Sequence, residues 1–60
     1  MRFVEEFIKE PRAASIYQGE QGYMVLFFLG DQWIETRDVS NHSIEYAQAC
    51  AWNWTEGIIP

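Results

Sequence analysis

The chain has 60 residues, of which nine are acidic and four are basic, so its formal net charge is −5. Such a surface repels the phosphates of nucleic acids and of anionic lipids, and we therefore expect neither direct nucleic-acid binding nor membrane binding. The length predicts a single domain over residues 1–60, which buries only about 60% of the surface of its unfolded chain. The single cysteine excludes an internal disulfide and favours a reducing, cytoplasmic compartment.

Residues 2–10 have a short helical pattern. Two i, i+4 apolar pairs are formed by Phe3, Val4, Phe7 and Ile8, with charged residues between them. Pro11 ends the pattern, because the residue before a proline avoids helical geometry. A helix this short is unstable alone in water. The segment is therefore predicted to be a short N-terminal helix or arm that docks on the rest of the chain, with a strand as the alternative.

Three strands are predicted after this segment, and together they form an antiparallel meander. The aromatic and β-branched runs at 13–18, 23–29 and 32–39 have the length and composition of strands. Residues 19–22 have glycine at both ends, which is typical of a turn. The Gly-Asp pair at 30–31 predicts a two-residue type II′ hairpin turn, in which glycine takes a positive φ.

The register that these turns impose predicts a sheet that is apolar on both faces. The first hairpin pairs Ile16 with Val25, and the second pairs Phe27 with Ile34. One predicted face holds Ala14, Ile16, Val25, Phe27, Leu29 and Ile34. The other holds Tyr17, Met24, Leu26, Phe28 and Trp33, with Glu35 and Arg37 at its margin. Because successive side chains point to opposite faces, the central strand is apolar on both sides.

A C-terminal helix is predicted over residues 43–56. Ser40, Asn41 or Ser43 can cap its start, and Gly57 suits the position beyond its end. At about 100° per residue, one face of this helix holds Ile44, Ala47, Cys50, Ala51, Trp54 and Ile58. The fold prediction is therefore α+β, a three-stranded antiparallel meander with a C-terminal helix packed on one face and a short N-terminal helix or arm.

One helix covers only one face of such a sheet. Burying a large apolar side chain contributes about 1.5–3 kcal/mol, so four or five exposed on the second face would be costly and would promote aggregation. The N-terminal segment, a second copy of the chain or both together are predicted to cover that face. We accordingly expect a homodimer.

His42 and Cys50 are the only residues of their types. A metal site needs three or four protein ligands, and a lone cysteine on an apolar helix face is expected to be a buried structural thiol. The glycines are spaced as hairpin turns and do not form a phosphate-binding loop. We therefore expect a protein that is not an enzyme, with no catalytic residues, no cofactor and no metal.

Trp52 is predicted to lie on the side of the helix opposite to Ala47 and Ala51, among polar residues. Tryptophan is enriched in binding hot spots, so Trp52 is a candidate contact residue, unless Ile58 packs back over it. The predicted partner-binding residues are Tyr17, Met24, Phe28, Trp33, Glu35, Glu45, Trp52 and Glu56. The apolar members are expected to supply affinity, and the acidic ones, together with Glu20, to steer a protein partner with a basic surface.

Three segments and their order resemble the compact half of HicB-like antitoxin domains. They are Gly22-Tyr23-Met24-Val25-Leu26-Phe27, Thr36-Arg37-Asp38 and Ser43-Ile44-Glu45-Tyr46-Ala47-Gln48-Ala49. The resemblance spans residues 14–52, and it implies a β-β-β-α fold and a regulator that neutralises a small basic RNase toxin. In size, acidity and its short tryptophan-rich helix, the chain also resembles small accessory proteins of tailed bacteriophages, which implies an inhibitor that binds a partner protein. A structural subunit of a larger assembly is a further alternative.

Overall fold

A computed structural model describes residues 1–58, which form a four-stranded antiparallel sheet and one C-terminal helix. The strands are β1 (Arg2–Lys9), β2 (Arg12–Gly19), β3 (Gly22–Leu29) and β4 (Gln32–Asp38), and they lie side by side in chain order. The helix, α1 (Ile44–Thr55), packs across β1, β2 and β3 on one face of the sheet. The prediction of an α+β fold with a C-terminal helix on one sheet face is confirmed.

The N-terminal segment is a strand, which was the alternative for it, so the prediction of a helix or arm there is wrong and the sheet has four strands instead of three. β1 pairs antiparallel with β2, so the backbone N–H and C=O groups along that edge of β2 are hydrogen-bonded. If residues 2–10 formed a marginal helix instead, those groups of β2 would have only water as a partner. A β-bulge accounts for the misleading sequence pattern. Phe3 lies opposite Tyr17, but Glu5 lies opposite Ile16, so Val4 is an extra residue. The extra residue breaks the period-2 alternation and spaces the apolar residues as in a helix.

The β2–β3 hairpin and the turn after β3 agree with the sequence prediction. β2 and β3 pair in the expected register, with Ile16 opposite Val25. Gly30 has a φ of 64°, whereas Asp31 has no positive φ. This combination is that of a type II′ turn, whose backbone twist matches the twist of the flanking strands.

Trp33 lies opposite Phe28, on the face predicted for both, but the predicted β3–β4 register is wrong beyond this pair. Phe27 pairs with Glu35 and not with Ile34, because Ile34 is the extra residue of a second bulge. A one-residue shift moves each later β4 side chain to the other face. Glu35 and Arg37, predicted at the margin of the second face, therefore lie on the helix side of the sheet.

The hydrophobic core lies between α1 and one face of the sheet. Its buried residues are Ala14, Ile16, Val25, Phe27, Val39, Ala47, Ala51 and Trp54. The small side chains of Ala47 and Ala51 let the helix approach the sheet closely, and both are fully buried. The indole of Trp54 stacks on the ring of Phe27, with 4.9 Å between centroids, and its Nε1–H donates to the Phe28 carbonyl oxygen at 3.0 Å.

The helix begins and ends within one residue of the predicted bounds. Ser43 is the N-cap, and its Oγ accepts a hydrogen bond from the Tyr46 N–H at 3.3 Å. At the other end Gly57 has a φ of 81°, and the Ile58 N–H donates to the Asn53 carbonyl oxygen at 2.8 Å. This is a Schellman arrangement, which satisfies carbonyl groups of the last turn. Within residues 1–58, no helix has the length and apolar character that crossing a bilayer requires.

Candidate protein-binding face

The side of the sheet that faces away from α1 is mostly apolar, and we call it the open face. Its residues, by strand, are Phe3, Glu6 and Ile8, then Ala13, Ser15 and Tyr17, then Met24, Leu26 and Phe28, then Trp33, Thr36 and Asp38. Phe3, Ile8 and Trp33 are 53%, 62% and 57% exposed. None of the apolar side chains on this face belongs to the core or packs against it. The open face is therefore a hydrophobic surface that α1 does not cover.

Strand pairing arranges this face in three rows that cross the sheet. The first row is Phe3, Tyr17, Met24 and Asp38; the middle row is Glu6, Ser15, Leu26 and Thr36; the third is Ile8, Ala13, Phe28 and Trp33. The rings of Phe3 and Tyr17 meet edge to face, with 5.7 Å between centroids. The Trp33 Nε1–H donates to Thr36 Oγ1 at 3.0 Å, which fixes the indole on the face.

The predicted partner-binding residues divide between the two sides of the sheet. Tyr17, Met24, Phe28 and Trp33 meet on the open face, whereas Glu35, Glu45, Trp52 and Glu56 lie on the helix side. Trp52 is 50% exposed on the outer surface of α1. Ile58 lines a cleft beside Trp54, next to the core. A single docked surface contacts one side of the sheet, so these residues form two separate surfaces.

Phe3 and Ile8 belong to the open face but are missing from the predicted set. The bulge at Val4 conceals them, because it gives β1 the spacing of a helix. The strand alternative for residues 2–10 is the interpretation of the sequence that would have placed them on a sheet face.

Two of the four basic side chains, those of Lys9 and Arg37, are held on the helix side by ion pairs. Lys9 Nζ lies 2.9 Å from Oε1 of Glu56, the residue that follows the last residue of α1. Arg37 Nε lies 3.1 Å from Glu35 Oε2 on the same strand. Both pairs are partly exposed, so each is expected to contribute less than about 1 kcal/mol to stability. Their effect here is on placement, since both cations are directed away from the open face.

The other two basic side chains are also on the helix side. The Arg12 guanidinium carbon lies 4.4 Å from the ring centroid of Trp54, a cation–π contact. Arg2 pairs across the sheet with Gln18 and donates to its Oε1 at 2.6 Å. No lysine or arginine side chain of residues 1–58 therefore belongs to the open face.

The nine acidic residues are distributed between the helix side, the open face and the hairpin turns. Four lie on the helix side, where they match the four basic residues: Glu5, Glu35, Glu45 and Glu56. The remaining five lie on the open face or in the hairpin turns at its ends: Glu6, Glu10, Glu20, Asp31 and Asp38. We call these five the acidic rim. The formal charge of −5 is therefore equal to the charge of the acidic rim.

Asp38 is the member of the acidic rim with a local stabilising contact. Ser40 hydrogen-bonds the Asp38 carboxylate through its side chain and its backbone N–H, the latter at 2.9 Å from Oδ1, and these bonds lower the pKa of Asp38. Hydrogen bonds to a carboxylate stabilise its ionised form, so the group stays ionised down to a lower pH than an isolated carboxyl group does. Asp38 is therefore charged at neutral pH and contributes to the field over the open face.

The two edges of the sheet are poor docking sites. β1 and β4 are the edge strands, and each carries a bulge, at Val4 and at Ile34. Bulges interrupt the row of free backbone groups that a further strand would pair with, and natural proteins use them to protect sheet edges. Pairing with a further strand at either edge is therefore disfavoured.

His42 and Cys50 each contact neighbouring side chains. The imidazole of His42 stacks on the Tyr46 ring, with 3.8 Å between centroids. Cys50 is half-buried against the core and lines the cleft beside Trp54. Among the residues that the structure describes, no group of three or more His, Cys, Asp or Glu side chains could hold a metal ion.

Comparison of the chain with protein-family models, with curated proteins and with solved structures found no match. The resemblances to HicB-like antitoxins and to phage accessory proteins therefore stay predictions. The open face and its acidic rim are the features that carry information about function.

Proposed function

We propose that this protein is a non-enzymatic interaction module that docks another protein on its open face. The observation that carries the proposal is a sheet face with seven large apolar side chains that the chain's own helix leaves uncovered. Apolar patches of this kind mark binding surfaces, or else promote aggregation if nothing covers them. The aromatic residues of the face are of the types enriched in binding hot spots.

The proposed action is occupation of a partner's surface. Phe28 and Trp33 lie next to each other at the β4 end of the third row and would supply most of the affinity. The acidic rim would raise the rate of association with a basic partner. A protein that occupies a surface blocks what otherwise binds there, so the regulatory form of this proposal is inhibition by occlusion.

A different protein is a better occupant than a second copy of this chain. In a homodimer through the open face, the acidic rims of both copies would meet without any lysine or arginine side chain between them. Like charges held together across an interface are destabilising. Homodimerisation, which the sequence predicts, is therefore the competing outcome of the tests below.

Two half-exposed tryptophans on opposite sides of the sheet provide a matched test. Trp33→Ser removes an anchor from the open face, and Trp52→Ser removes a similarly exposed indole from α1. The immobilised protein serves as bait in a lysate of its own cells, and we expect it to capture a protein. With the Trp33→Ser bait the yield of that protein should fall at least about tenfold, which corresponds to a loss of roughly 1.4 kcal/mol of binding free energy. The Trp52→Ser bait should retain it.

Loss of capture in Trp52→Ser with full capture in Trp33→Ser would assign binding to α1 and would contradict the proposal. Circular dichroism of both variants checks that each remains folded. Sedimentation of the unmodified chain decides between the two occupants. A dimer that dissociates in Trp33→Ser would show that a second copy covers the open face.

A further inference from the structure

We infer that the partner presents a basic amphipathic helix, which lies along β2 on the open face with lysine or arginine residues on both flanks. This inference rests on the proposed function, since it names the element that the open face receives. Three independent features of the described residues support it: the shape of the face, the arrangement of α1 on the other side, and the separation of charge.

The shape of the open face favours a rod that lies along β2. Ala13 and Ser15 are the smallest side chains of the face, and they follow one another on this strand. Ile8 stands beside them on β1, while Leu26 and Phe28 stand beside them on β3. Over Ala13 and Ser15 the surface is therefore low and is bordered by the larger apolar side chains of Ile8, Leu26 and Phe28, whereas Tyr17 rises from the other end of β2. A strand of eight residues is about 26 Å long, which matches a helix of about 17 residues.

On the opposite side of the sheet, a helix already packs over the same three strands. There α1 lies over β2 and its two neighbours, and its small residues Ala47 and Ala51 are buried against the sheet. A helix on the open face would give the sheet a helical layer on each side, so that the apolar side chains of both faces would be buried against another element. Addition of a strand is the alternative mode, and the bulges at Val4 and Ile34 oppose it.

The charge separation decides the sign of the partner. Glu6 lies at the β1 side of the face and Asp38 at the β4 side, while Glu10, Glu20 and Asp31 lie at its ends. A helix with an apolar stripe flanked by lysine or arginine would meet carboxylates on both flanks. The chain's own helix cannot play this part in a second copy, because α1 contains no lysine or arginine.

Two synthetic peptides test the inference directly. Both have about 17 residues, enough to span the face, and the same leucine and alanine stripe; one has lysine at every flanking position and the other has glutamate. In calorimetric titrations of the full chain, the lysine peptide should bind at least about tenfold more tightly than the glutamate peptide. Its affinity should fall with added salt, because exposed charge pairs are screened.

A pair of charge reversals locates the binding site. Glu6→Lys alters the open face and Glu45→Lys alters the outer surface of α1, and both residues are exposed and change the net charge equally. We expect Glu6→Lys to weaken the lysine peptide several-fold and Glu45→Lys to leave it nearly unchanged. Equal weakening by the two variants would mean that only net charge matters, and would overturn the inference.

The remaining outcomes separate this inference from the proposed function. If both peptides bind equally and shift the Trp33 indole N–H resonance, the open face docks a helix of any charge, and only the basic character is refuted. If neither peptide binds while capture of a cellular protein still depends on Trp33, the helix is refuted and the docking function stands. If capture does not depend on Trp33, both proposals fail.

Discussion

Trp54→Ala is expected to remove a large part of the protein's free energy of unfolding at room temperature. Truncation of a buried tryptophan costs about 3–5 kcal/mol, whereas a chain of this length has a total stability of roughly 3–9 kcal/mol. Three contacts disappear together: the stack on Phe27, the hydrogen bond to the Phe28 carbonyl oxygen, and the cation–π contact with Arg12. Far-UV circular dichroism with urea titration measures the effect without relying on the fluorescence of the residue that is replaced.

Two controls separate packing from the general removal of a tryptophan. Trp54→Phe keeps an aromatic ring against Phe27 but leaves the Phe28 carbonyl oxygen without its indole donor, so we expect a loss of about 1–3 kcal/mol. Trp52→Ala removes an indole that is half exposed, and its effect on unfolding should be below about 1 kcal/mol. A Trp54→Ala variant as stable as Trp52→Ala would show that the core does not depend on this side chain.

The parts of the fold that the sequence predicts are those in which periodicity is unbroken. β2 and β3 pair one residue with one residue over their whole length, so alternation and turn chemistry suffice to place their side chains. The helix likewise has a serine at its start, a glycine after its end and an apolar stripe between them. In these segments local preference and tertiary packing favour the same structure, which is the condition under which sequence patterns are informative.

The errors have one physical origin, which is a single extra residue in each edge strand. Val4 makes β1 resemble a helix, and Ile34 moves Glu35 and Arg37 to the face opposite to the predicted one. A bulge leaves little trace in local composition, because it depends on how an edge strand twists over the core. The second error matters most for function, since the acidic rim free of basic side chains appears only when Arg37 is placed correctly on the helix side.

Only part of the open face could be predicted from the sequence, and the reason again lies in the edge strands. The residues of the central hairpin and Trp33 follow from the register near the turns, whereas Phe3 and Ile8 required a fourth strand. Prediction of the charge separation would have needed the fourth strand, the bulge at Ile34 and the contacts that Lys9 makes with Glu56 and Arg12 makes with Trp54. Such a property belongs to the assembled sheet and helix, and no single segment encodes it.

Gly22→Ala is expected to destabilise the protein by about 2–5 kcal/mol, because it combines a strained backbone with a steric overlap. Gly22 has a φ of 134°, and a Cβ built there would lie 2.7 Å from the Ser40 carbonyl oxygen and 2.8 Å from its Cα. Both are backbone atoms, which cannot rotate away as a side chain would. The connection between β4 and α1 would have to shift, and with it the buried Val39, whose N–H donates to the Tyr23 carbonyl oxygen.

Gly30→Ala is the matched control for this prediction. Gly30 also has a positive φ, but no atom lies within 4 Å of the position of its Cβ. The substitution should therefore show backbone strain alone, roughly 1–2 kcal/mol. In urea titrations with an unchanged slope, the Gly22→Ala midpoint should lie well below that of Gly30→Ala. Equal midpoints would mean that the contact between Gly22 and Ser40 relaxes easily, and that the position of the β4–α1 connection does not depend on the absence of a side chain at residue 22.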